Sequence, residues 1–207
     1  MLDYFERGGI MMYPLILSSI LAIAIIIERS LILRGKRIII PEIINVIEKF
    51  NSLSDISFAK SIFSKYKGPL SNLMTTGLEN SDLERYEIKE VIEDQGRQEV
   101  RQLERGLIIL ETIAVISPLM GLLGTVLGMI KVFGVIKEQG IGQAAALSGG
   151  ISEALITTVT GLFIGIFTLI FYNYFTKKAE NFVLDIEKHC NYLIHKIHTF
   201  KSKKGSE

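Results

Sequence analysis

The sequence predicts an all-α membrane protein with three transmembrane helices, the second and third extended into a cytoplasmic helical layer. Three observations lead there. The chain is 48% hydrophobic with mean hydropathy +0.36, too apolar for an ordinary soluble domain. The apolar residues gather in three stretches, each near the ~20 residues that cross a bilayer as a helix. Helically spaced apolar residues also flank the second and third stretches.

The first span is expected over residues 10–33, after a short outer N-terminus at 1–9. Its core, IMMYPLILSSILAIAIII, is uncharged. The leader MLDYFERGG is not net basic, and Glu28 and Arg29 follow the apolar run where a small-x-small cleavage site would stand. These features favour a retained anchor over a cleaved signal peptide.

Residues 34–105 read as a cytoplasmic helical region. Ile43, Ile47 and Phe50 share a helical face, and Gly68-Pro69 interrupts the pattern. Ser81 and Glu84 have the spacing of a capping box. From there Ile88, Ile92, Leu103 and Leu107 keep helical spacing, with no proline before Pro118. The expectation is one long helix running directly into the second span, 106–133. A short outer loop follows at 134–150, then the third span at 151–176 and a cytoplasmic helical tail at 177–207. In the tail Phe182, Ile186, Cys190, Leu193 and Ile197 form an apolar stripe at steps of three and four. Stripes beyond the membrane need partners, and a helical layer built from several chains supplies them.

Orientation follows from the basic residues. Arg29, Arg34, Lys36, Arg37, Arg97, Arg101, Arg105, Lys177 and Lys178 flank one side; Arg7, Lys131 and Lys137 flank the other. The richer side is cytoplasmic by the positive-inside rule. The near-neutral total charge, +1, leaves no nucleic-acid footprint, and the single Cys190 cannot form an internal disulfide.

Small residues mark one face of each later span. On the second they are Pro118, Gly121, Gly124 and Gly128, with Thr125 among them; on the third they are Ala154, Gly161 and Gly165, with Thr158 among them. Such faces let helix backbones approach closely in lipid. Packing alone accounts for them, since a threonine can bond a carbonyl one turn back. Glu153 is harder to explain by packing. A charge at mid-bilayer costs about 2.5–3.5 kcal/mol on insertion scales. Two placements are open: a polar interior, or the first turn of the third helix, where the helix dipole favours a carboxylate by ~0.3–1 kcal/mol. Glu111 falls near the inner interface, within reach of a basic residue there. No aspartate lies in a predicted span, so any protonatable carboxyl in the membrane is Glu153 or belongs to a second protein. His195 and His198 are one turn apart without a carboxylate to complete a metal site. No nucleophile–base pair, phosphate-binding loop or metal-ligand spacing appears, so no enzyme activity, metal or cofactor is expected.

At this point the motifs become specific. PLMGLLGTVLGMI (118–130) and ISEALITTVTGLFIGI (151–166) resemble the two signature segments of the MotA/TolQ/ExbB proton-channel family, and GGIMMYPLILSSILAIAIIIER (8–29) resembles its ExbB-type members. The resemblance covers most of the chain. It implies a homo-oligomeric ring, a pentamer, around the membrane helices of two copies of a single-span ExbD- or TolR-like subunit that carries the protonatable aspartate. It also implies a TonB- or TolA-like protein that receives the work, the bacterial inner membrane as location, with a periplasmic N-terminus and cytoplasmic C-terminus, and H+ as the translocated ion. Carried over by position, Thr125, Glu153 and Thr158 are its polar path. Thr157 stands where many ExbB-type chains have alanine, and the small face containing Ala154, Gly161 and Gly165 selects Thr158. The N-terminal segment favours ExbB-type energisation of outer-membrane transport over TolQ-type envelope maintenance. Three spans argue against a four-span flagellar stator. A passive scaffold for a partner subunit is the remaining rival.

Overall fold

The computed structural model describes residues 8–49, 55–140 and 144–204. Among the described residues all regular structure is helical. Among the described residues three helices are long and apolar enough to cross a membrane. The chain divides into two compact units: one takes the described residues up to Arg29 together with Gly106–Tyr174, the other takes Ser30–Arg105 and the described residues from Phe175 onward.

The first unit holds α1 (Met12–Ile32), α7 (Leu107–Gln139) and the first half of α8 (Ala144–Lys204). Helix α1 buries Leu15, Ser18, Ala22, Ile25 and Arg29, alternating steps of three and four, and exposes Tyr13, Leu17, Ile20, Ile23 and Ile27. Pro14 lies in its first turn, where the missing N–H has no helical partner to lose. Helix α7 buries Leu110, Ser117, Gly121, Gly124, Gly128 and Val132 along one side. The outward residues of α7 and α8, including Leu122, Val126, Ile130, Phe163, Ile166 and Ile170, are large, apolar and exposed. A face of that extent is unfavourable against water and favourable against lipid.

The second unit holds α2 (Gly35–Ile38), α3 (Pro41–Lys49), α4 (Ile56–Phe63), α5 (Pro69–Glu79), α6 (Arg85–Glu104) and the second half of α8. Proline opens both α3 and α5, its fixed φ already suited to a first turn. Ile43 and Ile47 are buried as their spacing requires; Phe50, the third member of that face, lies outside the described residues. Ser71 closes the α4–α5 turn by donating to the carbonyls of Phe63 (2.5 Å) and Tyr66 (2.9 Å). The tail stripe buries Ile186, Cys190, Leu193 and Ile197, and Leu193 meets Gly77 of α5. Lys196 donates to the carbonyls of Ile47 (2.9 Å) and Glu48 (2.7 Å), capping the end of α3.

The expected single helix from the cytoplasmic region into the second span is corrected. It is two helices, α6 and α7, separated where Arg105 turns extended (φ −51°, ψ 132°) and Gly106 adopts φ +79°. That left-handed conformation comes readily only to glycine, so the glycine is the break. The capping box is also corrected, from Ser81–Glu84 to three residues later. Glu84 precedes α6, and its backbone N–H donates to Glu87 Oε2 at 3.0 Å. Both spacings satisfy the rule. Ser81 is instead used in the turn that ends α5, its N–H donating to the Leu78 carbonyl. Between the second and third spans α7 persists to Gln139 and α8 is under way by Ala144.

Candidate functional site

Everything at the site depends on how α7 and α8 meet. A Cβ added to Gly161 would lie 2.9 Å from the Gly121 Cα, and one on Gly124 would lie 2.6 Å from the Thr157 Cβ. Gly128 meets Ala154, and Gly165 makes room for the ring of Pro118. The seven small residues singled out in the sequence therefore meet across one helix–helix contact, with backbones closer than any larger side chain allows.

That contact sorts the hydroxyls. Thr157 is 1% exposed and donates to the carbonyls of Ala154 (2.9 Å) and Glu153 (3.1 Å) on its own helix, its side chain wedged beside Gly124. Thr158, one residue on, is half-buried and donates across the contact to the Gly121 carbonyl at 3.0 Å. Its Oγ1 also lies 3.4 Å from Thr125 Oγ1, which donates to the Leu122 carbonyl at 2.6 Å. Thr125 and Thr158 thus form a hydroxyl pair on the partly open edge of the contact. Thr160 bonds back to Ile156 (2.8 Å). Each hydroxyl of the pair can both give and take a hydrogen bond, which a chain of proton hand-offs needs.

Glu153 lies more than two turns inside α8, which is already helical at Ala144, so it is not in the first turn. Its side chain is 20% exposed, and Oε1 pairs with Lys131 Nζ at 2.5 Å. The Gly9 backbone approaches the same carboxylate: a side chain on Gly9 would strike it. Glu111 is exposed. Among the described residues no cluster of three or more His, Cys, Asp and Glu could hold a metal.

Residues 65–188 match the MotA/TolQ/ExbB proton channel family. The chain is 31% identical over 170 residues to a biopolymer transport protein ExbB-like 3 of Synechocystis sp., covering 81% of each chain. The chain belongs to the MotA/TolQ/ExbB proton channel family. A biopolymer transport protein ExbB homolog of Methanothermobacter thermautotrophicus is 28% identical over 90% of this chain and 66% of that one. The Aquifex aeolicus biopolymer transport protein ExbB is 38% identical over 42% of this chain and 59% of its own. Membership and three apolar helices together make this a multi-pass membrane protein of a family of channel subunits.

Three features of this family member escape a reading by residue type. Lys131 pairs with Glu153; in an antiparallel hairpin, positions equally far from residue 142 face one another, and that register would have found the pair. Arg29, 1% exposed, is fully buried on α1, bonded to Glu28 at 3.0 Å and close to Gly106. Glu99, 3% exposed, accepts from Asn72 (2.7 Å) and Gln95 (3.4 Å) within the second unit. A buried carboxylate on an otherwise polar helix leaves no hydropathy signal.

Proposed function

We propose that this chain is the channel-forming subunit of a bacterial inner-membrane motor, with its N-terminus periplasmic and its C-terminus cytoplasmic. Five copies form a ring around two single-span ExbD-like subunits, and the assembly uses the proton motive force to energise outer-membrane transport through a TonB-like protein. The hydroxyl pair Thr125–Thr158 carries the reading. It is uncharged, half-exposed and seated within the apolar spans, so a partner helix laid on that edge would bring its carboxyl to two groups that can relay a proton. Residues 107–139 and 144–176 of this chain contain no aspartate, which supports a partner that carries one beside this chain's own Glu153. The names of the relatives support biopolymer transport as the work done.

The energetics are sufficient. One charge crossing 100 mV releases ~2.3 kcal/mol, so several protons can drive a mechanical step larger than the handful of interhelical hydrogen bonds, ~0.6 kcal/mol each, that must be remade. The test is Thr158→Val and Thr125→Val in membrane vesicles containing the native complex, with internal acidification followed under an imposed potential. Losing a relay hydroxyl lowers proton flux roughly tenfold, the equivalent of about 1.4 kcal/mol. Flux unchanged in both variants would remove the pair from the path and favour a scaffold. Flux that follows a sodium gradient and ignores a proton gradient would replace the ion.

A further inference from the structure

We propose that Lys131 is a tethered cation that occupies the cation place at Glu153 in the resting chain and must be displaced before a translocated cation can use that carboxylate. The proposal rests on the reading of Glu153 as part of the ion path.

The geometry comes from two helices. Lys131 reaches from α7 and Glu153 from α8, and their side chains pair at 2.5 Å. No charged residue lies between Glu111 and Lys131 on α7, or between Glu153 and Lys177 on α8. The pair is therefore the only charge along these stretches of the two helices, and each member is the other's compensation. Along α8 it stands five residues before Thr158, about 7.5 Å at the helical rise. An ion reaching the hydroxyl pair from the loop end of the hairpin passes Glu153 first. The Gly9 backbone also approaches the carboxylate, and among the described residues Lys131 is the cation paired with it.

The two partners are unequally held. The Glu153 side chain is 20% exposed and the Lys131 side chain 57%. Lysine is a point charge on a flexible four-carbon stem, free to swing away. Glu153 is confined and cannot follow. Moving the exposed Lys131 away leaves the more buried Glu153 carboxylate without its cation, which is unfavourable. Lys131 therefore leaves only as another cation arrives, and an idle chain keeps its outer mouth neutral and closed to leakage.

The test uses the full-length chain in native membrane vesicles, probed with dicyclohexylcarbodiimide. The reagent adds to the Glu153 carboxyl as an O-acylisourea. In the wild type the Lys131 amine attacks the acyl carbon, the urea leaves, and an isopeptide bond forms with net loss of one water. In Lys131→Met no amine is present, and the acyl group migrates within the adduct to a stable N-acylurea. Peptide mass spectrometry is expected to find the Lys131–Glu153 cross-link in the wild type. It is also expected to find a threefold to fivefold rise in total modification of Glu153 in Lys131→Met, roughly the scale of a partly exposed ion pair. Proton leak of the idle complex rises by a similar factor in Lys131→Met and falls in Lys131→Arg, whose forked guanidinium grips a carboxylate with two bonds. No cross-link, or equal modification of Glu153 in wild type and Lys131→Met, overturns the proposal. Leak unchanged in both variants while Thr158→Val still blocks flux overturns the tether alone and leaves the path standing. Flux indifferent to Thr158→Val removes the path, and the tether with it.

Discussion

At the scale of single residues, the glycine opposite a threonine decides between packing and a polar path. Thr157 and Thr158 are adjacent and identical in type, yet one is sealed against Gly124 and satisfied on its own helix, while the other crosses to the Gly121 carbonyl and meets Thr125. The sorting depends on the glycines opposite. Gly161 has the closest backbone against it: beyond the Gly121 Cα, its missing Cβ would run into the Ser117 carbonyl oxygen. Backbone cannot swing aside as a flexible side chain can. Gly161→Ala is therefore expected to push α7 and α8 apart and cost about 1–3 kcal/mol, the range for overpacking, despite alanine's better helix propensity. Gly134→Ala is the control, because nothing lies within 4 Å of a Cβ there. It gains up to ~1 kcal/mol from propensity alone. Thermal unfolding in detergent reads both, and a Gly161→Ala protein as stable as Gly134→Ala would show that the close approach is dispensable.

At the scale of elements, Gly106 does what no proline in the sequence announces. Arg105 and Gly106 end α6 and begin α7 through a left-handed residue, with a Cβ at Gly106 falling 3.4 Å from Ile25 of α1. Conformation dominates that cost, since an L-residue pays roughly 1–2 kcal/mol in this region and asparagine pays less than most. Stability is expected to fall in the order Gly106, then Asn, then Ala, then Val. An alanine variant at least as stable as the parent would mean that the chain accepts a continuous helix here. The case also marks where the sequence was legible. The three spans, the tail stripe and the facing small residues follow from periodicity, which a helix obeys whatever packs on it. The break does not, because Leu103 and Leu107 keep helical spacing across it and a glycine inside a helical pattern reads as tolerated. The capping box slipped by three because serine and glutamate both fit its spacing, and only the turn ending α5 chose between them. Thr125, Thr158 and Glu153 were visible as polar groups in apolar runs. Lys131 was visible only as a charge near a span end, since a sequence read one helix at a time does not pair residues across a hairpin.

At the scale of the whole molecule, two solvents apply. The first unit turns large apolar residues outward, and the second buries its apolar stripe and exposes charge, as α6 does with Arg97 and Asp94 paired at 2.9 Å in the open. The second unit should therefore respond to pH as a water-soluble helical domain does, and its stripe carries the reporters. Burial pushes the Cys190 thiol up from 9.0 to about 12, with Glu187 adding to the effect. Burial, aided by Lys188 and opposed by Asp185 and Glu48, holds His189 below its ordinary 6.5. The signs are opposite to the usual paired cases. Above pH 9 the unfolded chain releases the Cys190 proton while the folded chain keeps it, so stability falls as pH rises from 9 toward 12, by on the order of 4 kcal/mol across the window. Below pH 6.5 the unfolded chain takes up a proton on His189 before the folded chain does, so stability falls again as pH drops through 6.5 toward the lowered folded value. Cys190→Ala leaves a small cavity that costs the same at every pH, so the slope above pH 9 is the diagnostic quantity. Cys190→Ala is expected to flatten that alkaline slope, and His189→Gln the acid one, in denaturation midpoints taken across pH. Because Cys190 is the chain's single cysteine, maleimide labelling reads the same equilibrium in the parent: thiol reaction at pH 7–8 is slow while the second unit is closed and rises when denaturant opens it. Fast labelling of the folded protein, or parallel slopes in parent and variant, would place Cys190 on an open face and undo the argument that this stripe is covered within the chain.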